Sequence, residues 1–316
     1  MKIIKLVLLP FFIITTFYSC KKVREDDTIQ LSEGATTGKL QIFPSNNPWN
    51  TDISNEQVDP NSDKLISGIG NSTHLHPDFG TIWEGSPIGI PFNIAGGDQA
   101  LVNVTFRYAS ESDPGPYPIP SGALIEAGSD RHVLILDTLH RKLYELFDGV
   151  KNKDNSWTAG SGALFDLNSN QLRPDYWTSA DAAGLPVFAG LVRYEEVVVK
   201  GVINHALRFT VANTRNSFIH PATHAASDKT DSNLPPMGMR VRLKANFDTG
   251  SFSPHIQVIL TALKKYGMFV SDNGSNWYIS GAPDSRWDDN ELGELKTISG
   301  SNFEVVKMGT VIQMQK

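Results

Sequence analysis

Four side chains in this sequence are of the types that carry protons, and their settings suggest they do so. His205 lies in "VINHALRFTV", residues 202–211, which alternates like a half-buried strand. Ile203, Leu207, Phe209 and Val211 share one face, and His205 falls in that apolar row. Such an imidazole is either a core histidine with both ring nitrogens satisfied or a base at the floor of a cleft, poised near neutral pH. Glu145, in "KLYELFD", shares a strand face with Leu143 and Phe147. A carboxyl among apolar neighbours has a raised pKa, as a general acid needs, unless that face is solvated. Asp181, in "TSADAAGLP", is either a carboxylate at a helix start or a loop acid close to Tyr176 and Trp177. Flat aromatics stack on the C–H faces of sugars, and carboxylates accept sugar hydroxyls. Tyr194 is the fourth, a phenol able to take a proton in a lyase reaction.

Other residues are suited to binding. Arg240, Arg242 and Lys244 fall on one face of "RVRLK", a solvated surface or a receiver for a carboxylate such as that of a uronic acid. His74 and His76 in "HLHPD", and His220 and His224 in "HPATH", have spacings that can hold Zn²⁺. Ordinary loop histidines are the preferred reading, and no metal or other cofactor is expected. All six tryptophans fall in or beside segments rich in Gly, Pro, Asn or Asp, more than a core alone asks for. No G-x-S-x-G, H-E-x-x-H, P-loop or Rossmann glycine pattern is present.

The elements that must position these groups read as mostly β. The chain has 316 residues, of which 40% are hydrophobic and 20% charged. That suits a soluble globular protein with a core of useful size. The 26 glycines and 18 prolines spread along the chain call for many turns. "HVLILD" and "KLYELFD" read as a hairpin, and "MFVS" and "NWYIS" around "DNGS" as a second. Residues 155–186 read as a long irregular segment, and residues 189–201 as helix or strand. "SPHIQVILTALKKYG" is the clearest helix, with Pro254 at its first turn and an Ile256, Ile259, Leu260, Leu263 stripe. Shorter helices fit residues 59–70 and 288–298. The expectation is a single β-rich α+β domain over residues 41–316, a sandwich or barrel-like core with three or four packed helices.

The N-terminus, "MKIIKLVLLPFFIITTFYSCKK", has a basic start, an apolar run too short to span a membrane, and then Cys20. It resembles a bacterial lipoprotein signal, with Phe17 three before the cysteine where Leu is usual, and its "SCKK" ending is similar to lipoproteins of the Bacteroidota. The resemblance implies removal of residues 1–19, lipidation of Cys20, and export to the cell envelope, the outer membrane being the expected site. Cys20 is the only cysteine, so the mature body has no disulfide. Residues 20–40 are polar and aperiodic and read as a flexible tether.

The body resembles a group of secreted proteins of environmental bacteria through "NPWN", "LHPDFG", "SDPGPYPIP", "DRHVLILD", "SADAAGLP" and "KKYGMFVSDNG". That implies export and one domain, and no mechanism. The net charge of −6, with no basic block in the body, argues against nucleic acid as a partner.

The leading expectation is an envelope-anchored protein that acts on a polysaccharide. As a hydrolase it would use Glu145 as acid and Asp181 as base or nucleophile. As a lyase it would use His205 or Tyr194 as base, with Arg240 or Arg242 neutralising a uronate. Tyr176 and Trp177 would bind sugar. The alternatives are a non-catalytic glycan-binding lipoprotein and a structural envelope protein.

Overall fold

The computed structural model describes residues 36–38 and 40–315. The expected signal peptide, the lipidated Cys20 and most of the tether lie outside the described residues. Thr37 is buried and donates its N–H to Glu195. Among the described residues no helix is long and apolar enough to cross a membrane.

The first third of the chain holds helix α1 (Ser62–Ile69) and strands β1 (His76–Asp78), β2 (Ile82–Trp83), β3 (Ser86–Pro87), β4 (Phe92–Ala95) and β5 (Val104–Phe106). The middle supplies β6 (Val133–Asp137), β7 (Lys142–Phe147), β8 (Val150–Lys151), β9 (Trp157–Ala159) and β10 (Ser161–Asp166). The last part supplies β11 (Leu207–Val211), β12 (Ser217–Phe218), β13 (Arg240–Leu243), α2 (Pro254–Lys265), β14 (Met268–Asn273), β15 (Tyr278–Ser280), α3 (Asp289–Leu292), β16 (Phe303–Val305) and β17 (Ile312–Gln313). The main sheet has six strands in the order β1-β15-β11-β14-β13-β16, and a second has four in the order β10-β7-β6-β4. Three smaller sheets complete a β-rich architecture with few helices, and none of the described sheets closes into a barrel.

The β6–β7 hairpin forms as expected, with Val133 opposite Leu146 and Asp137 opposite Lys142. The second expected hairpin does not. β14 and β15 are not neighbours, because β11 lies between them, parallel to β14 and antiparallel to β15. The Asn-Gly segment spends its hydrogen bonds on β11: Gly274 N–H donates to Val211 O at 3.0 Å and Trp277 N–H to Thr210 O at 3.1 Å. A turn signal specifies that the chain reverses, but not that the two arms pair.

The strand expected over residues 202–211 is shortened to β11, so His205 lies ahead of it. The segment read as irregular from residue 155 contains β9 and β10, and β10 pairs with β7 along six residues. The helix-or-strand stretch becomes a π-helical turn, Glu195–Lys200.

α2 forms where its apolar stripe predicts, with Pro254 in the first turn and Ile256, Ile259, Leu260 and Leu263 fully buried. One apolar cluster draws Leu134, Leu136, Leu143 and Phe165 from the four-stranded sheet and Leu207, Phe209, Val241 and Val270 from the six-stranded one. Alternate residues of β6 and β7, Val133, Ile135 and Leu146, face a second cluster with Tyr117 and Trp157. β7 therefore has protein on both faces, and its carboxyl-bearing face is the inner one.

Candidate active site

A cleft of about 850 Å³ opens beside β1, the edge strand of the main sheet. One wall is the β2–β3 hairpin, whose two-residue turn, Glu84 and Gly85, has both φ angles positive. Two-residue turns of that hand match strand twist, and glycine at the second position carries no Cβ strain. Asp289, at the start of α3, ties the hairpin's root down by accepting from the N–H and hydroxyl of Thr81. The hairpin holds Trp83 at the cleft mouth with 69% of its surface exposed. Glu126 and the 3₁₀ turn Gly293–Thr297 supply other walls.

Besides Asp289, two carboxyl groups line this cleft, and their surroundings push them in opposite directions. Asp78, at the end of β1, is open to solvent, yet the walls around it desolvate its carboxyl. That burial raises its pKa, helped by the charge of Glu126 and opposed by His76 and Arg208. Among the described residues the Asp78 carboxyl accepts no hydrogen bond. For Glu126, burial alone would raise the pKa too, but it is outweighed by the charge of His132, two hydrogen bonds from His132, and Arg208. Glu126 is held below the usual carboxylate range. Its Oε2 accepts from His132 N–H at 3.2 Å and faces Nδ1 at 2.5 Å.

His132 is fully enclosed ahead of β6, and burial by itself would discharge it. Glu126 reverses that and lifts its pKa to about 9. Its Nε2 donates to Ala180 O at 2.9 Å, so both ring nitrogens act as donors and the imidazolium is matched. The second cation is Arg208 on β11. Its Nε and Nη2 lie 3.3 and 3.2 Å from Asp181 Oδ2, and its Nη1 donates to Ser280 on β15 at 2.5 Å. Glu126, Asp181 and Asp272 all act on its charge. A buried layer of two cations and several carboxyls thus lies behind the cleft, with Glu126 as its opening to solvent. The pair combines one carboxyl whose pKa is raised and one whose pKa is lowered, and such divergence is what acid–base chemistry on a single bond draws on.

Of the residues singled out in the sequence, His76 and Trp83 line this cleft, whereas the catalytic candidates Glu145, Asp181, His205 and Tyr194 do not. Glu145 is completely buried and accepts N–H donation from Val187 at 2.9 Å and Phe188 at 2.8 Å. Burial raises its pKa to about 7 against those two bonds and the charges of His132 and Arg208. It pins the 3₁₀ turn Phe188–Gly190 onto β7 and has no exposed atom to offer a substrate. Asp181 is equally enclosed, raised to about 7 by burial although Arg208 pulls it down. Glu145 and Asp181 feel each other's charge and share the layer behind the cleft, so the sequence found two of its members while assigning them to the front.

His205 lines a separate pocket of about 510 Å³ with Trp49 and Tyr266, as the cleft-floor reading expected, but its ring is occupied. Nδ1 lies 2.8 Å from Ala206 O, and Nε2 lies 3.0 Å from Arg193 Nη2 and 3.2 Å from Glu196 Oε2. Both ring nitrogens are thus engaged by protein partners, which leaves neither free for a substrate. His205→Gln should therefore lower stability by about 1–3 kcal/mol. Chemical denaturation checks that loss, and turnover in the Asp78 cleft should stay at the wild-type level.

Tyr194 packs edge-on to Trp287 at 5.1 Å and lies under Arg286 at 4.2 Å. Arg240 donates to Tyr266 O and Thr51 O, and Arg242 donates to Ile53 O and to Glu304, its cross-strand partner on β16. The expected carboxylate receivers are thus committed inside the protein, under the segment that covers their strand face. Tyr176 donates an edge to Phe218 and receives Gln315, and Trp177 stacks with Arg173. Neither lines the cleft. Of the six tryptophans, Trp49, Trp157, Trp277 and Trp287 are buried packing residues and Trp177 is half-buried, which leaves Trp83 as the exposed one.

The candidate loop histidines are scattered. His74 Nδ1 bonds to Lys296 O, His220 to Asp175 and His224 to Ala182 O. Among the described residues no group of three or more His, Cys, Asp or Glu is arranged to hold a metal. The residues the sequence did not reveal are Asp78, Glu126, His132, Arg208 and Asp272. His132 does carry a signal, since it adjoins a buried strand in "DRHVLILD". Arg208 carries none: it alternates with apolar residues as any solvated strand residue does. In comparisons with family models, with curated proteins and with solved structures, no match to this chain was found.

Proposed function

We propose that this is an exported, lipid-anchored protein that hydrolyses an extracellular polysaccharide in the cleft beside β1. What carries the reading is the carboxyl pair: Asp78 raised and Glu126 lowered, both lining one cleft with an exposed tryptophan at its mouth. Asp78 gives its proton to the leaving glycosidic oxygen. Glu126, ionised by His132 and Arg208, activates water or attacks the sugar carbon. Trp83 offers the stacking face. A second reading, glycan binding without turnover, is favoured by that same tryptophan, because a platform needs no acid. We further propose that the six- and four-stranded sheets are the two layers of a sandwich, as their shared apolar cluster supports.

The deciding experiment incubates the purified protein with neutral and uronic-acid polysaccharides and follows reducing ends and unsaturated products. Reducing ends that vanish in Asp78→Asn support hydrolysis. Retention of polymer without new ends supports the binding reading, and neither retention nor cleavage removes carbohydrate from consideration. The anchor is checked separately: Cys20→Ala should leave the membrane fraction and take up no labelled fatty acid. A variant that still incorporates the label would overturn lipidation.

A further inference from the structure

The cleft holds polar groups that nothing else in the protein uses. Lys296, on the 3₁₀ turn Gly293–Thr297, makes no side-chain hydrogen bond or ion pair among the described residues, whereas Lys142, Lys200, Lys244 and Lys264 each bind a carboxylate or carbonyl. Its backbone is held in place, because His74 bonds to its carbonyl at 2.7 Å. Lys296 also lies close enough to His76 for its charge to oppose protonation of that ring, after burial, which opposes it most.

His76 is rigid and under-used. Its ring stacks on Tyr278 at 4.1 Å with the planes 9° apart. Nδ1 is enclosed without a hydrogen bond of normal geometry, although the Pro77 carbonyl weakly favours the charged form. A buried polar atom with no partner is uncommon and marks a place where a ligand or water belongs. The three carboxylates of the lining do not fill this role. Asp289 is committed to Thr81, Glu126 to His132, and Asp78 has a raised pKa.

From this we infer that the polysaccharide taken by the cleft carries an anionic substituent, a carboxylate or a sulfate, and that Lys296 and His76 receive it. The inference rests on the carbohydrate reading above and deepens it. Lys296 supplies the permanent charge, His76 supplies a directed donor or acceptor, and Tyr278, stacked on His76, lines the same cleft. General attraction does not account for such a preference, because the protein as a whole carries −6 and repels polyanions.

The test measures binding of the full-length protein to polygalacturonate, to the same polymer after methyl esterification, and to a galactan with and without sulfate. Esterification removes charge while keeping the backbone, and the sulfate arm separates the two sources of charge. The wild type should prefer one anionic polymer over its neutral counterpart, and Lys296→Ala should cut that preference by roughly five- to tenfold. Lys296→Arg should keep it, and Lys64→Ala, at an exposed lysine of α1, should not change it. Equal binding of charged and neutral polymers, or a preference untouched by Lys296→Ala, overturns the anionic substituent and leaves the hydrolase reading standing. No binding to any of the four polymers, with no cleavage, overturns both.

Discussion

Asp78→Asn should lower turnover by about 10²–10⁴-fold while leaving the fold unchanged. The amide has the shape of the acid but no proton to give. The Asp78 carboxyl accepts no hydrogen bond among the described residues, so the exchange disturbs no protein partner, and the unfolding free energy should stay within about 0.5 kcal/mol of wild type. The pH profile supplies a second readout. The proposed hydrolysis would need Asp78 protonated and Glu126 ionised. It should fall on the acid side as Glu126 takes a proton, below the ordinary carboxylate range, and on the alkaline side as Asp78 loses one, above that range. In Asp78→Asn the residual rate should lose its alkaline limb. A variant that cleaves at the wild-type rate would remove Asp78 from the chemistry.

Arg208→Met should cost about 3–5 kcal/mol of stability, the size expected when one partner of a buried ion pair is removed. Arg208 is 3% exposed, and its guanidinium holds together Asp181, Ser280 and, through its charge, Glu126 and Asp272. Lysine should not rescue it, since a single ammonium cannot reach Asp181 and Ser280 along two arms of a fork. Asp181→Asn on top of Arg208→Met should recover part of the loss, because it removes the charge left behind. Denaturant unfolding of the three variants decides it, and a loss below about 1 kcal/mol for Arg208→Met would mean that the layer is held by other contacts.

The same layer sets a pH dependence. Glu145 and Asp181 have folded-state pKa values raised to about 7, so the stability they add is complete at acid pH and is lost as pH rises through about 7. Glu196 acts in the opposite sense. Burial would raise it, but Arg193 and His205 hold it at about 2, so its contribution is present above the ordinary glutamate range and is lost as pH falls toward 2.

What the sequence determined by itself is whatever depends on neighbours along the chain. The β6–β7 hairpin and α2 follow from alternation, turn residues and a 3.6-residue stripe, all written within a few residues of one another. The misplaced polarity of Glu145 was legible for the same reason, since two apolar residues flank it on its own strand face. What lay beyond reach was pairing across distance. Nothing in "MFVSDNGSNWYIS" says that a strand some sixty residues earlier will enter between its arms, because that choice is made by competition among edges in the folded sheet. The candidate site shares this origin. Asp78 arrives on β1, Glu126 and His132 on the approach to β6, Arg208 on β11, and Lys296 on a turn near the C-terminus. Each alone is an ordinary polar residue in a loop or strand. Only the tertiary structure decides that Arg208 points into protein rather than water, and burial is what turns these charges into a working set: in water they would be screened, and enclosed together they move one another's protons.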